Sequence, residues 1–199
     1  MPLSPAAPRE HLHTRRVTCQ GFRRGDGLWD IEGHLTDVKT YGFGNDDRGT
    51  IEPGDPIHEM WIRLTVDDDL EVHAIEAVTD KSPFQICPAI TPNFQRLVGL
   101  RIAAGWTARV RERLGGVEGC THLVELLGPI ATTAFQTIFP VLSREKAERE
   151  AALQRGNPAA PRRPRSRPPL LDTCHALASD GEVARRLWPE FHRPRKHPD

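Results

Sequence analysis

A glycine-rich turn that runs directly into an apolar helix, Gly115-Gly116-Val117-Glu118-Gly119-Cys120-Thr121-His122-Leu123-Val124-Glu125-Leu126-Leu127, constrains this chain more than any other stretch. Leu123, Leu126, Leu127, Ile130, Ala134 and Ile138 recur at three-and-four spacing, so a core helix is expected from about Thr121 to Phe139. Thr121 can cap it, and the glycines let the backbone turn sharply before it. Pro129, after Gly128, is expected to kink the helix or split it. Cys120 then stands among the unpaired amides at the positive end of the helix dipole, a setting that favours thiolate over thiol. His122, two residues on, can share a metal ligand set with it or serve as its base. The same two residues also suit a small buried hydrophobe and a satisfied histidine.

Two hairpins precede any helix. Arg15–Phe22 reads as a strand, Arg24-Gly25-Asp26-Gly27 as its turn, and Leu28–Thr36 as the return. In the return strand Trp29, Ile31, Gly33 and Leu35 face one way, while Asp30, Glu32, His34 and Thr36 form a carboxylate, carboxylate, imidazole row on the other. That row suits either a polar ligand or a solvated sheet face. Tyr41 to Pro56 is a Gly/Asp/Pro-rich loop with the length of a lid or an insertion. A second hairpin follows: His58, Met60, Ile62, Leu64 and Val66 alternate with Glu59, Trp61, Arg63 and Thr65, Asp67-Asp68-Asp69 turns the chain, and Leu70–Val78 returns. The three aspartates lack the Gly and closing Glu of a calcium loop and read as turn residues.

Beyond the hairpins, prolines are expected to keep Pro83–Pro88 from being helical. Thr91-Pro92 reads as the cap and first residue of a helix bearing Phe94, Leu97, Val98 and Arg101. A short helix through Trp106, Val110 and Leu114 stops at Gly115. The expected class is α+β: an antiparallel sheet of about four strands, in two hairpins, packed on a layer of helices. Residues 1–10 are expected to be disordered, 11–142 to form the α+β domain, 143–169 a charged helix and Pro/Arg-rich linker, 170–190 a docking helical segment with a capping box at Ser179-x-x-Glu182, and 191–199 a basic tail. The docking segment carries Cys174-His175 and offers a homodimer contact.

Lys+Arg and Asp+Glu balance at 27 each, so no global field attracts nucleic acid or an anionic membrane, and the arginine clusters at 162–167 and 193–196 read as solvated tails. No secretory signal and no run of membrane-span length is read, which points to the cytoplasm. Cys19, Cys87, Cys120 and Cys174 show no Cys-x-x-Cys pairing and argue against a disulfide framework.

From about Glu10 to Pro189 the motifs Gly-Leu-Trp-Asp-Ile-Glu-Gly-His-Leu, Cys-Pro-Ala-Ile-Thr-Pro-Asn-Phe, Gly-Val-Glu-Gly-Cys-Thr-His-Leu-Val-Glu-Leu-Leu and Cys-His-Ala-Leu resemble an uncharacterised bacterial family, domain of unknown function 2889. That resemblance brings no activity with it. The order of a hairpin, a loop cysteine (Cys87), a helix, a glycine turn and a helix opened by Cys120 and His122 is also similar to the NifU-type iron–sulfur cluster scaffolds. It implies a NifU-like core over roughly Ile57 to Ile138, with Cys87, Cys120 and His122 as ligands of a cluster or zinc. The chain departs from those scaffolds in having only His58 and Glu59 where they carry a third cysteine, and Cys-x-His where they carry His-Cys.

The expected function is that of a small protein with a Cys/His centre serving small-molecule metabolism. The metal ligands are expected to be His58, Cys87, Cys120 and His122, holding zinc or iron, with Glu59 or Glu118 moving a proton. Without a metal, Cys120 is the candidate nucleophile and His122 or His58 its base. Trp29, Trp61 and Trp106 are candidates to line a pocket for an aromatic or acyl ligand. The other class is a non-catalytic accessory or binding protein, scaffold-like in metal or iron–sulfur handling.

Overall fold

A computed structural model describes residues 3–156, 167–168 and 170–194. Most of the expected Pro/Arg-rich linker and the end of the basic tail lie outside the described residues. The chain forms two compact units, residues 1–150 and 151–199.

The first unit is α+β. Its sheet contains β1 (His13–Arg23), β2 (Trp29–Lys39), β5 (Pro56–Val66) and β6 (Val72–Lys81), all antiparallel in the order β1-β2-β5-β6. The expected loop between the hairpins holds a small hairpin of its own, β3 (Phe43–Asn45) with β4 (Gly49–Ile51). Both large hairpins form where alternation of apolar and polar residues predicts them, but the first two strands are longer than expected. β1 begins at His13 rather than Arg15, and β2 runs through Lys39 rather than stopping at Thr36. The three aspartates do turn the chain: Asp67 Oδ1 accepts the N–H groups of Asp69 and Glu71, and Leu70 takes a positive φ of 64°.

Helical structure departs from expectation in three places. Cys87–Leu97 is a 3-10 segment that starts inside the stretch expected to be non-helical and takes in Pro88, before the expected start at Thr91-Pro92, and it buries Phe94 and Leu97. α1 (Trp106–Leu114) ends at Gly115 as expected. α2 (Thr121–Gly156) is one continuous helix of 36 residues through Pro129 and Pro140, so neither proline splits it. Cys120, not Thr121, occupies the cap position: its carbonyl accepts the Val124 N–H at 2.9 Å. Among the described residues α2 is long and apolar enough to cross a membrane, contrary to the sequence expectation. Length and composition do not separate a span from a core helix, and the stripe Leu123, Leu126, Leu127, Ile130 and Ala134 is buried in the hydrophobic core with the sheet.

Two glycines let α2 approach the sheet. A Cβ at Gly33 of β2 would stand 2.6 Å from Ile130 Cδ1 and 3.0 Å from Leu126 Cγ, and one at Gly21 of β1 would run into Thr137. The start of α2 is aimed by the glycine turn before it. Gly116 has a φ of 60°, Gly119 has no room for a Cβ against the Leu114 carbonyl, and Glu118 is held by Arg96 at 2.7 Å. In the second unit, α3 (Glu182–Leu187) has Gly181 at its cap position with no side-chain cap, so the expected Ser179–Glu182 capping box does not form. The Ser179 N–H instead donates to Asp172 Oδ1 at 2.7 Å.

Gly33→Ala should therefore overpack the β2–α2 contact and destabilise the fold by about 1–3 kcal/mol, read as a lowered thermal midpoint. An unchanged midpoint would mean that α2 does not lie this close to β2.

Candidate metal centre at the sheet end

Core-facing positions of β2 follow odd numbers, Trp29, Ile31, Gly33, Leu35, and the next is Asp37. This carboxylate is only 1% exposed. Its cross-strand neighbours are Arg15 on β1 and His58 on β5, so Arg15, Asp37 and His58 form one row across three strands. A register shift follows immediately after Asp37, a bulge of the kind that re-aims side chains near functional sites. The start of α2 places His122 over the row, its ring centroid 3.7 Å from that of His58.

Hydrogen bonds fix the carboxylate from both sides. Arg15 spans it, Nε to Oδ1 and Nη2 to Oδ2, each at 2.8 Å, and its Nη1 reaches Glu125 of α2 at 2.5 Å. His13 Nε2 lies 3.0 Å from Oδ1, and His58 Nδ1 lies 3.1 Å from Oδ2. His122 Nε2 is 4.0 Å from the same oxygen. Burial pushes the Asp37 carboxyl up, but the bidentate Arg15 guanidinium and the imidazoles outweigh it and hold the group below the usual carboxylate range. A carboxylate only accepts, so the neighbouring His58 nitrogen is the donor and its other nitrogen keeps a lone pair.

Both imidazoles are driven towards neutrality. Burial, then the charge of His122, lowers the pKa of His58, although Asp37 opposes the shift; burial and Arg15 lower that of His122. Neutral imidazole is the metal-binding form. Asp37, His58 and His122 each offer a donor atom, all within 4.8 Å of one another. The pattern of two imidazoles and a carboxylate with open positions is one that holds zinc or iron. His58 and His122 side chains remain 14% and 26% exposed, enough for an ion to reach them.

The residues singled out by the sequence divide accordingly. His58 and His122 come together, and Cys120 sits beside them, its Sγ 3.9 Å from His122 Nδ1. Cys87 opens the 3-10 segment and contributes no donor to the Asp37 group. Glu59 lies on the opposite face of β5 from His58, because neighbouring strand residues alternate, and pairs with His34 at 3.2 Å. Glu118 is engaged by Arg96. Cys174 is exposed in the second unit, while burial pushes the Cys19 thiol up. The three tryptophans line no common pocket: Trp29 and Trp106 are core residues, and Trp61 stacks on His34 at 3.5 Å on the outer face. There the expected acidic row is met by β5, with Thr65 on Asp30 at 2.7 Å and Arg63 on Glu32 at 2.8 Å.

In metal-free protein the three shifts make the fold acid-sensitive in a fixed order. The unfolded chain binds protons at its histidines below about pH 6.5, where the fold holds His58 and His122 neutral. Their contribution is therefore complete above that pH and lost as pH falls through the lowered folded values. Asp37 acts in the same sense lower down: its contribution is present above about pH 3.9 and lost as pH falls through its lowered value. With EDTA present, the thermal midpoint should drop between pH 7 and 5, and His58→Gln/His122→Gln should flatten that drop. A wild-type midpoint constant over this range would contradict the neutral pair. Arg15→Met, which leaves the buried carboxylate without its guanidinium, should cost about 1–3 kcal/mol at pH 7 in urea unfolding.

The family described as Protein of unknown function (DUF2889) matches this chain over residues 13–136, a span that contains Asp37, His58, Cys120 and His122. No curated protein and no solved structure matches it.

Proposed function

Since the chain belongs to the DUF2889 family, whose function is unknown, we propose from the site itself that it is a metalloprotein acting on a small molecule. The proposed ion is divalent zinc or iron, held by Asp37, His58 and His122. The observation that carries this reading is the clustering of one carboxylate and two imidazole donors within 4.8 Å. The 3.1 Å between His58 Nδ1 and Asp37 Oδ2 suits two ligands of one ion, for which bonds of about 2.0–2.2 Å opened to between 90° and 109° give about 3–3.4 Å. The ion takes the place of the proton now shared between those atoms, which passes to His58 Nε2 in the neutral tautomer that binds through Nδ1, so no proton is released. Arg15 and His13 stay on Oδ1 as outer partners that orient the carboxylate.

Three protein ligands leave coordination positions for water or substrate, and bound zinc or iron there supplies Lewis acidity or a hydroxide. With both imidazoles of the group on the ion, His13, beside Asp37, is the proton acceptor nearest the open positions. Four free cysteines among the described residues accord with a cytoplasmic setting. A second reading is favoured by the 3.9 Å approach of Cys120 Sγ to His122 Nδ1: a thiol nucleophile with an imidazole base.

Metal analysis of protein purified without a His-tag separates the two. Stoichiometric zinc or iron is expected, lost in Asp37→Asn, His58→Gln and His122→Gln, retained in Cys87→Ser, and bound about 10–100-fold more weakly in His13→Gln. Metal-free protein that refuses zinc, together with rapid alkylation of Cys120 that slows in His122→Gln, would replace the metal reading with the thiol one.

A further inference from the structure

Alternation along β5 presents two core-facing residues to the start of α2, His58 and, two residues on, Met60. His122 stacks over the first, and Cys120 lies over the second, with Cys120 Sγ 4.0 Å from Met60 Sδ. The same sulfur is 3.9 Å from His122 Nδ1, the ring nitrogen turned away from Asp37. Met60 is buried at 1% exposure, while Cys120 and His122 are half-buried. The Cys120 thiol thus has a thioether on one side and an imidazole nitrogen on the other, each within 4.0 Å, and Cys120 is not part of the Asp37 donor group.

We propose that Met60, Cys120 and His122 Nδ1 form a second site, for a soft monovalent cation of the Cu(I) class. The ligand chemistry selects it: thiolate and thioether prefer Cu(I) to the harder divalent ions. The spacing fits as well. Two sulfurs each about 2.3 Å from one ion and opened to the trigonal angle stand about 4.0 Å apart, and a sulfur and a nitrogen about 3.7 Å apart. Binding converts Cys–SH and the free cation into a Cys–S–metal bond and one released proton, with no change in oxidation state. This site does not rest on the zinc or iron reading, but the two share His122. A neutral imidazole has one lone pair, so the ring serves one ion at a time and loading either site weakens the other.

Silver(I), a redox-inert stand-in for Cu(I), tests the proposal in a chain carrying Cys19→Ala, Cys87→Ser and Cys174→Ser, where Cys120 is the sole thiol. One equivalent is expected to bind with one proton released per ion and an ultraviolet thiolate-to-metal band. Cys120→Ser should abolish it, the volume-conserving Met60→Leu should weaken it at least about tenfold, and Asp37→Asn should leave it intact while removing zinc binding. Silver affinity unchanged by Met60→Leu would overturn the site, whatever zinc does. Should the triple variant fail to fold, X-ray absorption of the otherwise unaltered protein with one equivalent of silver decides. Two sulfurs and one nitrogen around the ion support the site, and a shell without nitrogen, as from capture by exposed Cys174, overturns it.

Discussion

The site is built around one buried charge. Asp37 occupies a position that alternation along β2 assigns to the apolar layer, and an ionised carboxylate there is tolerable only if its oxygens are fully hydrogen-bonded and its charge is opposed. Arg15, directly across the strand pair, does both with a two-point contact, and its third nitrogen ties the row to Glu125 on α2. The negative charge in turn orients His13 and His58. The helix arriving over this row cannot vary its height much, because Gly33 and Gly21 bring Ile130 and Thr137 down on the sheet. His122 is thereby delivered against His58. Sheet register, glycine spacing and a buried ion pair are parts of one arrangement.

Much of this was legible in the sequence. Alternation placed His58 with Met60, Ile62 and Leu64 on the core face of β5, and the three-and-four spacing placed His122 at the mouth of the longest helix. What was missed lies at strand ends. β2 was expected to stop at Thr36, one residue short of Asp37, and β1 to start after His13, because charged residues at core-facing positions look like the end of an apolar pattern. Had the odd-numbered series been continued, Arg15, Asp37 and His58 would have fallen into register as an ionic row. Glu59 is the converse case: adjacency to His58 along a strand means opposite faces in space, which puts it with His34. The place of Cys87 in the order of elements does not determine where its thiol points. The continuity of α2 through Pro129 and Pro140 was equally out of reach, since helix propensity gives way to a long buried stripe.

The mouth of α2 presents two kinds of chemistry to β5. On one side are oxygen and nitrogen donors around Asp37; on the other are the sulfurs of Cys120 and Met60; His122 stands between them with one ring nitrogen turned to each. A glycine turn that fixes the helix start, the alternation along β5 and the register that sets Asp37 of β2 beside His58 together generate both donor sets. The outer face of the sheet, by contrast, spends its acidic row on hydrogen bonds to β5 and contributes nothing to this end of the molecule.

The central claim is that Asp37, His58 and His122 converge on a single ion, and nitrogen-15 NMR of the histidine side chains during a zinc titration reads it most directly. His58 Nδ1 and His122 Nε2 should shift together and saturate at one equivalent, with the rings of His34 and His73 unmoved. If the His58 and His122 nitrogens keep their metal-free shifts while zinc is bound, or if only one of them responds, the three residues do not form a metal centre.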